Sequence, residues 1–326
     1  MKIDSIEIAV RGKTIRVPSV HIDGQILVVT GNVIKTAAIR DEDFVEGESI
    51  CDPREFIPKL AKSSLRVDIL TFAEKIYEGT AKHPYPFEWD NAAVACTGCF
   101  RDWWEKLPQE SRKNVRRAAK RGVIVQVAKF DEEFIQGIKE IYDEMPVRQG
   151  RRFWHFGKDL ETVKRENGTY LDRSEFIGAY HNGELIGFMK FVYVGRVANM
   201  MQILSKASHY DKRPMNALIA KAVEVCEEKR ISYLVYSKFS YGNKMQSQIA
   251  DFKRRNGFVQ MNFPRYFIPL TLKGKLVLRL KLHRGLLGVL PSGLIGWLSR
   301  LRSAGHLLSK GFSRVSRTGE SDLEAR

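Results

Sequence analysis

Residues 199–258 constrain the fold of this chain most strongly, because they place two apolar strands and two amphipathic helices in a fixed order. The strand sequence NMMQILSK is followed by a charged loop, ASHYDKRP, and by a long helix, MNALIAKAVEVCEEKR. A second apolar strand, SYLVYSKF, precedes a helix that ends in FKRRNGF. The first N–H groups of the long helix lack helical partners and carry the positive end of its dipole. This order therefore predicts that an anion binds at the loop.

The rest of the sequence also alternates strands with helices, which predicts an α/β or α+β fold. A length of 326 residues suggests two domains. Short strands fill the first hundred residues around one helix, for which Asp52 is the predicted N-cap and Pro53 the first helical residue. One helix is predicted over WWEKLPQESRKNVRRAAKRG, ending at Gly122. A hairpin is predicted over SEFIGAYHNGELIGFMKFVYVG, with its turn at His-Asn-Gly.

The charge and the cysteines limit the partners and the compartment. A net charge of +16 and a pI near 9.7 predict a basic protein with anionic partners, such as nucleic acid, a phospholipid surface or phosphorylated substrates. The N-terminal sequence has no apolar segment of signal-peptide length, and four cysteines do not form a disulfide framework. We therefore expect a cytoplasmic protein. Cys96 and Cys99 end an apolar strand and have no second pair beside them, so no metal is expected.

Residues 272–326 differ in composition from the rest of the chain. Between residues 271 and 319 there are many Lys and Arg residues but no Asp or Glu. The uncharged segment GLLGVLPSGLIGWLS, between Arg284 and Arg300, is too short to span a bilayer comfortably. Residues 272–326 are thus predicted to form a basic amphipathic tail that lies peripherally on the anionic inner face of a membrane. The alternative is a pair of helices that pack on the protein's own surface with their basic face in water.

The order of elements between Arg101 and Leu272 resembles the GNAT (Gcn5-related N-acyltransferase) superfamily and, within it, the Fem-type or BioF2-like acyltransferases. Three segments carry this resemblance: RKNVRRAAKRGV, KRPMNALIAKAVEVC and IADFKRRNGF. It implies a GNAT-like mixed sheet flanked by helices over residues 99–271 and a smaller, reduced GNAT-like lobe over residues 1–98. It also implies transfer of an acyl or aminoacyl group to an amine. The acceptor would be an anionic small molecule or a sugar- or lipid-linked substrate in cell-envelope or polysaccharide metabolism.

The resemblance allows two donors, acyl-CoA (acetyl-CoA) and aminoacyl-tRNA. GNAT enzymes that use acyl-CoA carry (Q/R)-x-x-G-x-(G/A) before the long helix, but the loop of this chain has no glycine, which argues against acyl-CoA. No long helical-hairpin insertion of the tRNA-using members is visible, which makes tRNA the less favoured partner. The residues that could still hold donor phosphates are Lys206, Ser208, Lys212, Arg213 and Asn216.

Acyl transfer to an amine needs a base that accepts the amine proton and a group that stabilises or protonates the leaving group. His155 and His209 are candidates because an unperturbed imidazole titrates near neutral pH. Tyr236 and Tyr241 are candidates because they lie at the end of a strand, where α/β sites open. Lys253 stands where many GNAT enzymes have a tyrosine acid. For each candidate the alternative is a packing or solvated residue.

An arginine-rich connector is the predicted substrate-binding segment. Its candidate residues are Arg148, Arg151, Arg152 and Trp154, because guanidinium groups interleaved with aromatic rings suit phosphate, carboxylate or nucleotide recognition. The basic helix RKNVRRAAKR is interpreted as a solvated face, with tRNA or phosphate contact as the alternative. A rival function remains for the whole chain: a non-catalytic, degenerate GNAT lobe that acts as a membrane-surface or nucleic-acid binding module.

Overall fold

The computed structural model describes residues 4–10, 13–148, 150–240 and 248–284. Twelve of the strands in these residues form one mixed sheet, in the spatial order β1-β2-β3-β4-β5-β14-β6-β13-β12-β11-β10-β7, and β8 and β9 pair separately. The strands are β1 (Asp4–Val10), β2 (Lys13–Ile22), β3 (Gln25–Thr30), β4 (Thr36–Ile39), β5 (Ile69–Ala73), β6 (Phe87–Cys96), β7 (Ile124–Ala128), β8 (Val147–Arg148), β9 (Arg151–Arg152), β10 (Ser174–His181), β11 (Glu184–Val194), β12 (Val197–Ser205), β13 (Tyr233–Val235) and β14 (Val259–Pro269).

The chain divides into two compact units, Met1–Thr271 and Leu272–Arg326. The helices are α1 (Pro53–Ala61), α2 (Phe100–Lys106), α3 (Gln109–Lys120), α4 (Glu132–Asp143), α5 (Leu160–Asn167), α6 (Pro214–Glu228), α7 (Gln248–Arg255) and α8 (Leu272–Arg279). The sheet and α1–α7 belong to the first unit. In the second unit α8 and a 3-10 turn (Leu282–Arg284) are described, so residues 285–326 of the predicted amphipathic tail lie outside the described residues.

Helices cover both faces of the sheet in the second half of the first unit. Ala118 of α3 and Leu218 of α6 are buried in one core cluster with Ile177 of β10. Ile138 of α4 is buried in another cluster with Phe176, the residue before Ile177. Because successive strand residues point to opposite faces, the two groups of helices lie on opposite sides. This arrangement confirms the predicted mixed sheet flanked by helices.

The predicted helix over residues 103–122 is in fact two helices. α2 ends at Lys106 and α3 begins at Gln109, with Pro108 as the N-cap residue of α3. Proline has no N–H group for an intrahelical bond, so the chain restarts the helix at this point. The predicted start of α1 is confirmed, and α6 begins one residue before the predicted Met215. Asp52 accepts the N–H of Arg54 at 2.8 Å, and Pro214 is the first residue of α6.

Two neighbouring strands diverge near the middle of the sheet. β12 and β13 are parallel and pair only from Val197–Tyr233 to Asn199–Val235, although β12 continues to Ser205. β12 also contains a bulge, because Gln202 and Met200 pair with successive residues of β11 and the residue between them has no partner there. A bulge turns the strand away from its neighbour. One edge of β12 is therefore open toward a cavity on the sheet.

Candidate active site

A cavity of about 430 Å³ lies where β12 and β13 diverge. Its apolar wall includes Val197 of β12, Val235 of β13 and Phe263 of β14, which are buried together in one small core cluster. The opposite wall comes from the chain after β4, including Glu42 and Phe44. Residues from both halves of the sheet thus line one cavity, with a volume suited to a small substrate.

Four charged side chains form a continuous network at this cavity. The Arg265 guanidinium group donates to the Glu42 carboxylate at 2.9 Å and to the Asp90 carboxylate at 2.9 Å. The Lys238 ammonium group donates to both oxygens of Asp90, at 2.7 and 3.0 Å. Arg265 is mostly buried, whereas half of the Lys238 side chain is exposed. Lys238 is therefore the cation of this network that can reach a bound molecule.

The two carboxyl groups of the network differ in their pKa values. Burial raises the pKa of Glu42 above its ordinary value, despite the opposing charge of Arg265. Burial also acts against ionisation of Asp90, but hydrogen bonds from Lys238 and Arg265 outweigh it and lower the pKa of Asp90. A carboxyl group with a raised pKa is a better proton acceptor near neutral pH than an ordinary carboxylate.

A short segment, residues 41–44, holds Glu42 at the cavity. The other carboxylate oxygen of Glu42 accepts the N–H of Ala73 at 2.7 Å. The Arg173 guanidinium group donates to the carbonyl of Phe44 at 2.7 Å. The Asn199 side chain on β12 donates to the carbonyl of Asp43 at 2.5 Å. These bonds fix the segment against the second half of the sheet.

Two lysines lie near the network, Lys253 almost fully buried and Lys75 half-buried. Lys253 of α7 is 1% exposed, and its ammonium group donates to the carbonyl of Lys238 at 2.6 Å and lies 4.4 Å from the ring centre of Tyr236. Burial lowers the pKa of Lys253 to about 8. Lys75 lines the cavity and donates to the carbonyl of Val45 at 2.6 Å. Burial lowers its pKa as well.

The loop predicted to hold donor phosphates contains a carboxylate of the protein itself. Glu144 accepts the N–H of Ala207 at 2.5 Å, the N–H of Ser208 at 2.9 Å and the hydroxyl of Ser208 at 2.7 Å. Burial would raise the pKa of Glu144, but these hydrogen bonds outweigh it and lower the pKa. The amide groups at the start of the loop are therefore already bound to an anion.

The other predicted donor-binding residues contact protein groups. The Lys206 ammonium group pairs with Glu184 at 2.5 Å. Lys212 lies 3.6 Å from the carboxylate of its neighbour Asp211. Arg213 adopts a left-handed conformation (φ 59°) directly before α6. Asn216 donates to the side chain of Asn256 at 2.8 Å. Donor binding by these residues stays a prediction.

The predicted catalytic residues are spread over several places. His155 stacks on Tyr142 with ring centres 4.4 Å apart and lies beside Gln202 of β12. Burial, together with nearby Lys and Arg side chains, lowers its pKa to about 4, so the ring is neutral at pH 7. His209 lies 3.6 Å from Glu184. Tyr236 packs against Lys253, as described above, and Tyr241 lies outside the described residues.

The arginine-rich connector uses part of its charge within the protein. Arg148 donates to the carbonyls of Ser205 and Ile141, at 2.9 and 2.8 Å, and thereby joins the end of β12 to α4. Arg152 on β9 is exposed, and so is Trp154, which follows this strand. The backbone of Arg151 is described as part of β9, but its side chain lies outside the description. Substrate binding by these residues stays a prediction.

The charged network was missed at the sequence level. Its signal was present, because Arg265 interrupts the apolar strand sequence PRYFIPLTL and Asp90 lies two residues before the small apolar residues of β6. A single charge within an apolar strand is usually paired when it is buried. The partner of Arg265, Glu42, is far away in sequence, and only the fold brings the two together.

Within the described residues, no three His, Cys, Asp or Glu side chains converge in a way that could bind a metal ion. No helix of the described part has the length and hydropathy needed to cross a bilayer.

Comparisons with known proteins give matches at the level of structure. No family model matches the sequence, and no curated protein matches it in sequence. The C-terminal domain of a putative lysylphosphatidylglycerol synthetase from Agrobacterium fabrum has a TM-score of 0.52 and 11% identity, over 78% of this chain and 84% of that one. FemX has a TM-score of 0.49 and 10% identity, over 85% and 90% of the two chains. L-PGS from Bacillus licheniformis has a TM-score of 0.49 and 15% identity, over 78% and 85%. The element order and the match at a TM-score of 0.52 agree with the sequence resemblance, and the chain has a GNAT-like fold.

Proposed function

We propose that the protein is an acyltransferase that moves an aminoacyl group from an ester donor to an amine of an anionic acceptor. The observation that carries this proposal is the cavity at the divergence of β12 and β13, with Glu42, Asp90, Arg265 and Lys238 beside it. A proton acceptor and a half-exposed cation at one cavity are the two kinds of group that acyl transfer to an amine requires.

The donor is inferred from the loop before α6. An acyl-CoA donor would need backbone N–H groups at this loop for its pyrophosphate. The Glu144 carboxylate already accepts the N–H groups of Ala207 and Ser208. An aminoacyl ester such as charged tRNA does not depend on these groups. The Agrobacterium fabrum domain is named as part of a putative lysylphosphatidylglycerol synthetase. That name combines an aminoacyl group with a phospholipid, which supports an aminoacyl group and a lipid-linked acceptor.

The proposed reaction begins with attack of a neutral amine on the ester carbonyl carbon. A carbon–nitrogen bond forms, and Glu42 accepts the proton that the amine nitrogen loses. The ammonium group of Lys238 stabilises the negative charge on the carbonyl oxygen of the tetrahedral intermediate. The carbon–oxygen bond of the ester then breaks, and Glu42 returns the proton to the leaving hydroxyl oxygen. Arg265 holds Glu42 and Asp90 in place.

The donor is tested with the full-length protein by thermal unfolding. Charged tRNA is compared with uncharged tRNA, CoA and acetyl-CoA. A donor at 100 times its Kd raises the free energy of unfolding by about 2.7 kcal/mol. We expect a higher Tm with charged tRNA and no change with CoA. A rise with CoA instead would overturn the ester donor, and no rise with any of them would favour the non-catalytic binding module.

The chemistry is tested by transfer of a radiolabelled amino acid from charged tRNA to vesicles that contain phosphatidylserine, a lipid with both an amine and a net negative charge. Glu42→Gln removes the proton acceptor but keeps an oxygen for the N–H of Ala73. We expect it to lower the transfer rate about 100-fold or more, while the Tm rise with donor remains. Glu55→Gln, at an exposed position in α1, is the matched control and should change neither quantity. Equal rates for the two variants would exclude Glu42 as the base.

A further inference from the structure

A second concave surface lies in the N-terminal half, between β2 and β3. These strands pair from Ser19–Val28 to Ile22–Gln25, and in the described register residues 15–18 of β2 have no partner on β3. The space between them is a groove of about 750 Å³, which residues 64–66 after α1 also line. No residue that lines this groove also lines the cavity described above.

The side chains of the groove carry one sign of charge. Arg16, Lys35 and Arg66 line it, and no carboxylate does. Lys35 and Arg66 form no side-chain ion pair within the described residues. The nearest carboxylate of Arg16 is Glu7 at 4.0 Å, and both of these side chains are mostly exposed. An exposed ion pair of this length contributes little, so all three cations can bind an anion.

The rest of the lining combines an apolar floor with polar groups. Val17 and Val29 are buried beneath the groove, and the hydroxyl residues Thr30 and Ser64 line it. Gly31 turns the chain out of β3 with φ 93°, and a Cβ there would lie 2.1 Å from the carbonyl oxygen of Ile34. Only glycine fits this turn, so Gly31 determines the backbone conformation between β3 and Lys35.

We propose that this groove binds a phosphate ester, with the phosphate between the three cations and an apolar portion on the valine floor. A guanidinium group can donate two parallel hydrogen bonds to two phosphate oxygens, and hydroxyl groups donate further hydrogen bonds. Such an ester is either a soluble metabolite or the headgroup of a phospholipid. The site is independent of the proposed transfer reaction, because it involves other residues.

The test compares two triple variants of the full-length protein. The groove variant replaces Arg16, Lys35 and Arg66 with Gln. The control variant replaces three exposed cations outside the groove with Gln, namely Lys62, Arg230 and Arg255. Both triple variants lower the net charge of +16 by the same amount. A difference in binding between them is therefore caused by the site and not by the overall charge.

Two probes distinguish the sources of phosphate. Calorimetric titration with glycerol 3-phosphate measures a soluble ester, and co-sedimentation with vesicles of phosphatidylglycerol and phosphatidylcholine measures a headgroup. We expect the groove variant to bind at least one probe about tenfold or more weakly than the wild type, and the control variant to bind within about twofold. If the groove variant binds glycerol 3-phosphate more weakly but binds vesicles normally, the ligand is soluble. If the groove variant binds vesicles more weakly, the ligand is a lipid.

Two results would overturn the proposal. One is equal weakening in both triple variants, which would show that only net charge matters. The other is a wild type that binds neither probe. Because a triple variant can fail to fold, the single variant Arg66→Gln, at an exposed position, is measured beside it and should bind the same probe about threefold or more weakly.

Discussion

Lys190 on β11 is a lysine without exposed surface. Its ammonium group donates to the carbonyls of Asn167 and Thr169, at 2.7 and 2.5 Å, just beyond the C-terminus of α5. Burial lowers its pKa to about 8, below the value near 10.4 of an unfolded chain. The unfolded state therefore binds more protons between these pH values, and the free energy of unfolding rises with pH there by up to about 1.4 kcal/mol per unit.

The predicted effect of Lys190→Met is a loss of this rise. Urea unfolding at pH 7, 8, 9 and 10 should give a flatter pH dependence for the variant than for the wild type. Lys62→Met, at an exposed position after α1, is the control and should keep the wild-type slope. A variant that retains the full slope would show that Lys190 does not titrate in this range.

Single residues were the part of the site that the sequence predicted least well. Its charge, the nearby aromatic rings and its position in a loop predicted that Arg148 binds substrate. Its guanidinium group instead donates to two backbone carbonyls. A local sequence pattern does not tell whether an arginine turns inward, because its acceptors come from distant elements. Glu42 has no local pattern at all, and its raised pKa depends on burial that only the folded chain provides.

At the scale of elements, Gly257 joins the end of α7 to β14. It has φ 80°, and a Cβ would lie 2.4 Å from Nε1 of Trp103 on α2. Gly257→Ala should therefore combine left-handed strain with a clash against the Trp103 ring, and lower the free energy of unfolding by about 2–4 kcal/mol. The measurement is urea unfolding at pH 7.

Gly24→Ala is the matched control for this prediction. Gly24 has a similar φ of 78° in the turn between β2 and β3, but nothing lies within 4 Å of its added Cβ. Only the left-handed strain should remain, at about 1 kcal/mol. If both alanine variants lose the same stability, the close approach of Gly257 to the Trp103 ring does not contribute to the loss.

Elements with strong local signals were predicted well. The hairpin of β10 and β11 turns at Asn182 and Gly183, both with positive φ, as the His-Asn-Gly sequence predicts. Elements whose limits depend on distant pairing were predicted less well. SYLVYSKF has strand character throughout, yet β13 contains only Tyr233–Val235, because its partner β12 diverges after Asn199. The sequence KHPYPFEWD, with its two prolines, is typical of a loop, yet Phe87–Asp90 belong to β6, where β14 pairs with them.

At the scale of the whole molecule, Arg265 connects the two halves of the sheet. It lies on β14, between β5 and β6, and pairs with Glu42 from the first half and with Asp90. Arg265→Met would leave two buried carboxylates without this cation. Removing one partner of a buried ion pair costs about 3–5 kcal/mol, so we expect a loss of that size in the free energy of unfolding at pH 7.

The pH dependence of this loss follows from the same network. Without Arg265 the pKa of Glu42 rises further above that of the unfolded chain, so the penalty applies at pH 7 and disappears as this group becomes protonated. The difference from the wild type in urea unfolding should therefore be smaller at pH 5 than at pH 7.

The double variant Glu42→Gln/Arg265→Met removes one unpaired charge and should be more stable than Arg265→Met alone. Arg255→Met, an exposed control, should change the free energy of unfolding by less than about 0.5 kcal/mol. A loss that is the same at both pH values would mean that Arg265 contributes by packing, and that the two halves of the sheet do not depend on its charge.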